Sequence, residues 1–226
     1  MMKTTAVIPA LNEEKAIGSV VKGLEKLVDE IIVVDDGSQD NTGREAEKAG
    51  ATVVSHEKNC GVGGALKTGI RKAIELKADV ILVTAGDGQL DARYANSLIK
   101  PVKEGEYDFV IASRFKGDVK SMPLARYIGN RIFTAFVKIA AGKSVSDASC
   151  GYRAFTPKLF DKLELGKYSD DYRMEVEFLL DVLSEKSFKV KEIPIHAIYG
   201  GENDSKMRIW KDWPLMSWPV IKKIFS

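Results

Sequence analysis

Four polar junctions follow short apolar runs in this chain, and their residue types could do chemistry. Asp35-Asp36-Gly37-Ser38 follows Ile31–Val34, and Gly86-Asp87-Gly88-Gln89 follows the run 79–84. Pro9-Ala10-Leu11-Asn12-Glu13 follows Thr5–Ile8, and Ser113-Arg114 ends the run 108–113. Helix capping explains one polar residue per junction, and Asn12, Ser38 and Asp91 suit that task. It does not explain an adjacent carboxylate pair, or a Gly-Asp-Gly-Gln stretch directly after a buried strand. Carboxylate and amide oxygens suit Mg²⁺ or Mn²⁺, which take one or two protein ligands and fill the remaining positions with phosphate oxygens and water. Asp87 and Gln89 alternate, so as a strand extension both would point the same way. Such an ion would neutralise a leaving diphosphate.

The elements that must position these residues follow from periodicity. β-branched runs at 5–8, 31–34, 52–54, 79–84 and 108–113 alternate with helical stretches at 13–27, 41–49, 62–76 and 92–102. Apolar strands separated by amphipathic helices predict a doubly wound, mostly parallel α/β sheet with helices on both faces. In such sheets ligands bind beyond the carboxyl ends of the strands, where the polar junctions fall. Further on, a long helix is expected at 124–141, with Ile128, Ile132, Phe133, Phe136, Val137 and Ala140 on or near one face. A helix near 171–185 and a strand at 188–195 complete the body. All three tryptophans, Trp210, Trp213 and Trp218, lie in the last segment, where Pro214 and Pro219 predict a broken helix.

Composition narrows the class. Hydrophobic residues make up 45% and charged residues 29% of 226, as in a folded globular protein. No apolar run approaches the roughly 20 residues that span a bilayer, and no basic-then-apolar leader opens the chain. Two cysteines, Cys60 and Cys150, cannot build a disulfide scaffold and read as packing residues of a cytoplasmic protein. The two histidines, His56 and His196, lie far apart, so a histidine-rich metal site is not expected. The net charge of +2 hides two basic segments. Residues 114–143 carry Arg114, Lys116, Lys120, Arg126, Arg131, Lys138 and Lys143 against Asp118; residues 206–226 carry Lys206, Arg208, Lys211, Lys222 and Lys223 against Asp212. They suggest an anionic partner.

Standard phosphate cradles are absent. A dinucleotide fingerprint should open the helix after the first strand, where Pro-Ala-Leu-Asn-Glu-Glu stands instead. Gly61-Val62-Gly63-Gly64 follows the third strand without the fingerprint spacing, and there is no P-loop. The same Pro-Ala-Leu-Asn-Glu-Glu stretch disfavours a nucleotidylyltransferase.

The chain resembles the family 2 glycosyltransferases of GT-A fold, and within them the polyprenyl-phosphate (dolichol-phosphate) sugar synthases. The resemblance rests on VIPALNEE at 7–14, VVDDGSQDNT at 33–42, NCGVGGALKTGI at 59–70, AGDGQLD at 85–91, DFVIASRF at 108–115, GNRIFTAF at 129–136, DASCGYRAF at 147–155, EVEFLLDV at 175–182 and VKEIPI at 190–195. It implies donor-binding roles for Pro9, Leu11, Glu13, Asp36, Gly64, Lys67, Asp87 and Lys206. It implies metal and diphosphate ligation by Asp87 and Gln89, and a grip on an acceptor phosphate by Arg114 and Arg126. Asp147 would lie on the acceptor side. One departure stands out: the first aspartate of the family's Asp-x-Asp pair is Ala85 here, so ligation leans on Asp87 and Gln89.

The activity implied is inverting transfer of a hexose from a nucleotide-diphosphate sugar to a polyprenyl phosphate, with Mg²⁺ or Mn²⁺ as cofactor. Asp87, Arg114 and Arg126 would carry the chemistry. Two other readings stay open: a sugar-hydroxyl acceptor, for which Asp147 is the first candidate base, and a non-catalytic nucleotide-sugar-binding scaffold, motivated by Ala85. Residues 1–205 are expected to form the GT-A domain and 206–226 a basic, tryptophan-rich segment at an anionic membrane surface or a homodimer contact. The protein is expected to be peripheral on the cytoplasmic face of the cell membrane, with no nucleic-acid partner.

Overall fold

The computed structural model describes residues 2–119, 122–196 and 209–225, with backbone alone at 118 and 209–214. Lys206 lies outside the described residues. Seven strands, β1 (Thr4–Ala10), β2 (Glu30–Asp35), β3 (Thr52–Ser55), β4 (Val80–Val83), β5 (Phe109–Asp118), β6 (Arg153–Phe155) and β7 (Val190–His196), form one sheet in the order β3-β2-β1-β4-β6-β5-β7. Every pairing is parallel except those of β6, which runs antiparallel to both β4 and β5. Residues 31–34 of β2, residues 4–8 of β1 and all of β4 are buried. Continuous burial along a strand requires cover on both faces, as the apolar runs predict.

The helices are α1 (Ile17–Leu24), α2 (Thr42–Lys48), α3 (Val62–Glu75), α4 (Ala95–Lys103), α5 (Leu124–Ala141), α6 (Arg173–Ser184) and α7 (Ile209–Ile224). The first helix starts later than its apolar periodicity predicts. Residues 12–14 are committed elsewhere: their backbone N–H groups donate to Ser38 Oγ, Thr42 Oγ1 and an Asp40 carboxylate oxygen. Asn12 and Ser38 therefore tie two loops together rather than cap helices; Asp91 does cap, accepting from Arg93 N–H at 2.9 Å. β6 is absent from the sequence reading because three residues carry no period. Its Phe155 nonetheless packs with Phe109, Phe160 and Phe178 in an aromatic cluster that joins the sheet to α6.

The C-terminal segment corrects one expectation. It forms a single helix through Pro214 and Pro219 rather than a broken one. Each proline removes one N–H donor, but α7 packs against α5 and α6, and Met216 and Val220 enter the core. Tertiary burial outweighs those lost hydrogen bonds. The orientation of α7 predicts a contrast between two substitutions. Met216→Ala should lower unfolding stability by about 2–5 kcal/mol, as for other buried methionines. Trp218→Ser, on the exposed side of the same helix, should change it by no more than about 0.5 kcal/mol. Urea unfolding of both variants measures the difference; a larger loss for Trp218→Ser than for Met216→Ala would mean that α7 is turned the other way.

Candidate active site

A cavity of about 750 Å³ opens beyond the carboxyl ends of β1, β2 and β4; β5 runs on past the expected end at 113, so Arg114 reaches the cavity from within that strand. Of the residues singled out in the sequence, Pro9, Leu11, Glu13, Asp36, Asp87, Gln89, Arg114 and Arg126 line it. Gly64, Lys67 and Asp147 stand behind the wall. Acidic groups that follow β1, β2 and β4 thus share one space with two arginines from β5 and α5.

Asp36 is the best-anchored group of the wall. It is buried, and its Oδ1 accepts hydrogen bonds from Cys60 N–H (2.8 Å) and lies 2.7 Å from His56 Nδ1. Its Oδ2 accepts from Gly61 N–H at 2.9 Å. His56 Nε2 lies 3.0 Å from Thr68 Oγ1 on α3, which fixes the ring from its far side. His56 is therefore structural in a specific sense: it braces the carboxylate at the end of β2. Asp36, His56 and Cys60 also carry ligand atoms within 4.8 Å of one another, but backbone and imidazole hydrogen bonds already engage the carboxylate.

Asp87 and Gln89 do meet at the cavity, by a different route from the one expected. β4 ends at Val83, so neither belongs to a strand. Instead Asp87 Oδ1 accepts the backbone N–H of Gln89 at 2.9 Å, which tightens the turn. The donor set of one carboxylate and one amide oxygen suits a hard divalent cation whose other ligands come from phosphate and water.

Elsewhere in the lining Arg114 meets Asp147. Arg114 Nε donates to Asp147 Oδ2 at 2.7 Å and Nη2 to Oδ1 at 2.8 Å, and the Arg114 backbone N–H adds a third bond at 3.0 Å. Nη2 also donates to Ser149 Oγ at 2.8 Å. Asp147 is fully buried. Its carboxylate orients the guanidinium and shows no face to the cavity. A two-pronged, charge-assisted pair of this kind holds a side chain in one geometry.

The glycine run 61–64 has a packing role. A Cβ on Gly61 would come within 2.4 Å of the Asp170 carbonyl, and one on Gly63 within 2.5 Å of the Ser169 carbonyl. Gly64 N–H donates to Asp170 O at 2.8 Å. Lys67 completes the clamp, with Nζ at 2.6 Å from Asp170 Oδ1 and 2.7 Å from Tyr168 O. The start of α3 thus holds the 168–171 loop, and with it Asp171, Tyr172 and Glu175 at the cavity. None of these three was assigned a role from sequence; the signal available was EVEFLLDV, whose first residue is Glu175. Arg153 acts similarly, donating to the carbonyls of Cys150 (2.9 Å) and Glu175 (2.8 Å).

Comparison with known proteins gives this geometry a family. The model of glycosyl transferase family 2 matches residues 5–164. The chain belongs to that family, and it is a glycosyltransferase. A protein of Methanocaldococcus jannaschii is 39% identical over 85% of this chain and 80% of its own length. The UDP-N-acetylglucosamine–dolichyl-phosphate N-acetylglucosaminyltransferase of Methanococcus voltae is 33% identical, covering 85% of this chain and 84% of that protein. Among solved structures, glucosyl-3-phosphoglycerate synthase from Mycobacterium tuberculosis, in complex with Mn²⁺, UDP and phosphoglyceric acid, superposes with a TM-score of 0.73. It is 24% identical, and the match covers 99% of this chain and 78% of that one, which shows the shared GT-A fold.

The two cysteines divide, against the expectation that both pack. Cys150 is buried at the cavity's back, whereas Cys60 is exposed. Burial pushes the Cys150 thiol up to about 11. The folded state therefore holds this proton more tightly than the unfolded chain. The stability it lends is complete below the ordinary thiol range and is lost as pH climbs toward 11. At mildly alkaline pH an aromatic disulfide reagent should titrate one thiol quickly, and the second only in denaturant. Cys60→Ser should abolish the fast phase; a surviving fast phase would place Cys150 at the surface.

Proposed function

We propose that this glycosyltransferase moves a hexose from a nucleotide-diphosphate sugar to a polyprenyl phosphate, working peripherally at the cytoplasmic face of the cell membrane. The observation that carries the reading is the make-up of one cavity: carboxylates Asp36 and Asp87 and arginines Arg114 and Arg126 line the same space. Dolichyl-phosphate transferases among the relatives support it, including one of Haloferax volcanii at 28% identity.

In this reading Pro9, Leu11, Glu13 and Asp36 receive the nucleoside, and Gly64 and Lys67 serve the donor by holding the loop beside it. Lys206 would reach the diphosphate from outside the described residues. Asp87 and Gln89 would hold Mg²⁺ or Mn²⁺ with the donor diphosphate; when bound, the ion offsets charge on the leaving group. Ala85 leaves that task to fewer protein ligands than an Asp-x-Asp pair would supply.

Arg114 and Arg126 grip the acceptor phosphate. That phosphate is already an anion near neutral pH, so its oxygen needs no strong base to attack the anomeric carbon. Orientation is the main requirement, and Asp147 meets it by fixing the Arg114 fork. A single displacement inverts the anomeric centre. The sugar-hydroxyl alternative needs a base, and Asp147, with both oxygens engaged by Arg114, is poorly suited to be one. Glu175 in the cavity wall is the one observation that favours that alternative.

The test is transfer of label from UDP- and GDP-hexoses to a polyprenyl phosphate, with and without Mn²⁺. Asp87→Ala should lower turnover at least about a hundredfold, abolish any Mn²⁺ dependence of nucleotide binding and leave the unfolding midpoint unchanged. Near wild-type turnover would remove Asp87 from the site. Arg126→Ala should raise the acceptor KM on the order of tenfold or more, with little change in donor KM. Equal rises in both would take Arg126 off the acceptor side. Glu175→Gln should retain turnover with the lipid phosphate, and its inactivity would favour a hydroxyl acceptor.

A further inference from the structure

Of the eleven large apolar side chains exposed among the described residues, eight lie on α5 and α7 and a ninth, Phe225, directly follows α7. On α5 they are Leu124, Ile128, Ile132, Phe136 and Ile139, a stripe at helical spacing. This stripe is separate from the inward face, where Phe133 and Val137 are buried. The single apolar face expected from sequence is thus two faces, one inward and one outward. On α7 Leu215, Trp218 and Ile221 are exposed, as is Phe225 just past its end, while Met216 and Val220 point inward. The nine are between 39% and 86% exposed. Because α7 packs against α5, the two stripes belong to one pair of helices. So many exposed apolar side chains on two packed helices mark an interaction site.

The charge on these helices selects the occupant. α5 carries Arg126, Arg131 and Lys138 and no acidic residue, and α7 carries Lys211, Lys222 and Lys223 against a single acidic residue, Asp212. An isologous dimer across this face would set mainly basic helices against each other, with Asp212 the one carboxylate per protomer to offset them. An anionic lipid monolayer offers both an apolar interior for the stripes and phosphates for the cations. We infer that the α5–α7 face is a monolayer-docking platform, with both helices lying in the lipid interface.

The platform joins the cavity. Arg126 and Asn130 on α5 and Leu215 and Met216 on α7 are cavity residues as well. Docking through these helices sets the cavity arginines at headgroup depth, where a lipid phosphate would be taken up without leaving the membrane. This consequence rests on the proposed acceptor; the docking itself does not.

The experiment uses the full chain. Co-sedimentation is measured with vesicles of phosphatidylcholine containing one third phosphatidylglycerol, and with pure phosphatidylcholine, at low and high salt. Binding to the anionic vesicles, weakened by salt, is expected. The double variants Ile128→Ser/Ile132→Ser and Trp218→Ser/Phe225→Ser should each weaken it on the order of tenfold, with unfolding midpoints near wild type. Wild-type protein that stays in the supernatant, or variants that bind as wild type does, would overturn the platform. So would a stable dimer in sedimentation velocity that either double variant dissociates. Both variants are also assayed with a short, water-soluble polyprenyl phosphate. They should turn it over as wild type does yet fail on acceptor embedded in vesicles. If wild type binds vesicles but transfers to neither acceptor, the proposed acceptor fails and the platform stands.

Discussion

Strands β1, β2 and β4 are buried on both faces along most of their length, so the chain can place charged groups there only at or beyond the strand ends. Everything at the site follows from that constraint. Parallel pairing sends the carboxyl ends of these strands to one rim, and β6, antiparallel to both β4 and β5, turns β5 the same way. Loops that meet there must satisfy their own backbone groups, and they do so with each other's side chains: Ser38 and Thr42 serve residues 12 and 13, and Asp36 serves residues 60 and 61. The Asp36 carboxylate is thus a structural hub as well as part of the cavity wall.

The parts of this arrangement that were legible in sequence are those with a period or a run. Apolar runs marked β1, β2 and β4, and their polar endings marked Asp36 and Asp87. The motif resemblance supplied Arg114 and Arg126, and the structure brings all four to one cavity. What stayed hidden depends on partners distant in sequence. Nothing local says that Asp147 faces Arg114 inside the protein, or that the glycines after β3 make room for the 168–171 loop. β6 has too few residues to show alternation, and its place between β4 and β5 is fixed by tertiary packing.

Helices α5 and α7 show how apolar periodicity can mislead. A helix with apolar residues around most of its circumference does not declare which face is inward. On α5 the smaller Gly129 and Thr134 accompany Phe133 and Val137 inside, while the longer stripe faces out. On α7 the prolines argued for a break, and burial of Met216 and Val220 decided otherwise. Local propensity is a weak prior against tertiary contact.

The antiparallel strand has a consequence for biogenesis. Strands β1 to β4 are complete once residue 83 has been made, and β5 follows by residue 118, but the two blocks are joined through Arg153–Phe155. Until that strand is synthesised, Val80–Val83 presents an apolar edge with unpaired backbone groups on the side opposite β1. A nascent chain of this kind offers a strand edge to its neighbours on the ribosome for the time taken to add some seventy residues. The same three residues that close the sheet therefore set the interval during which the unfinished protein is most open to aggregation and to chaperone capture.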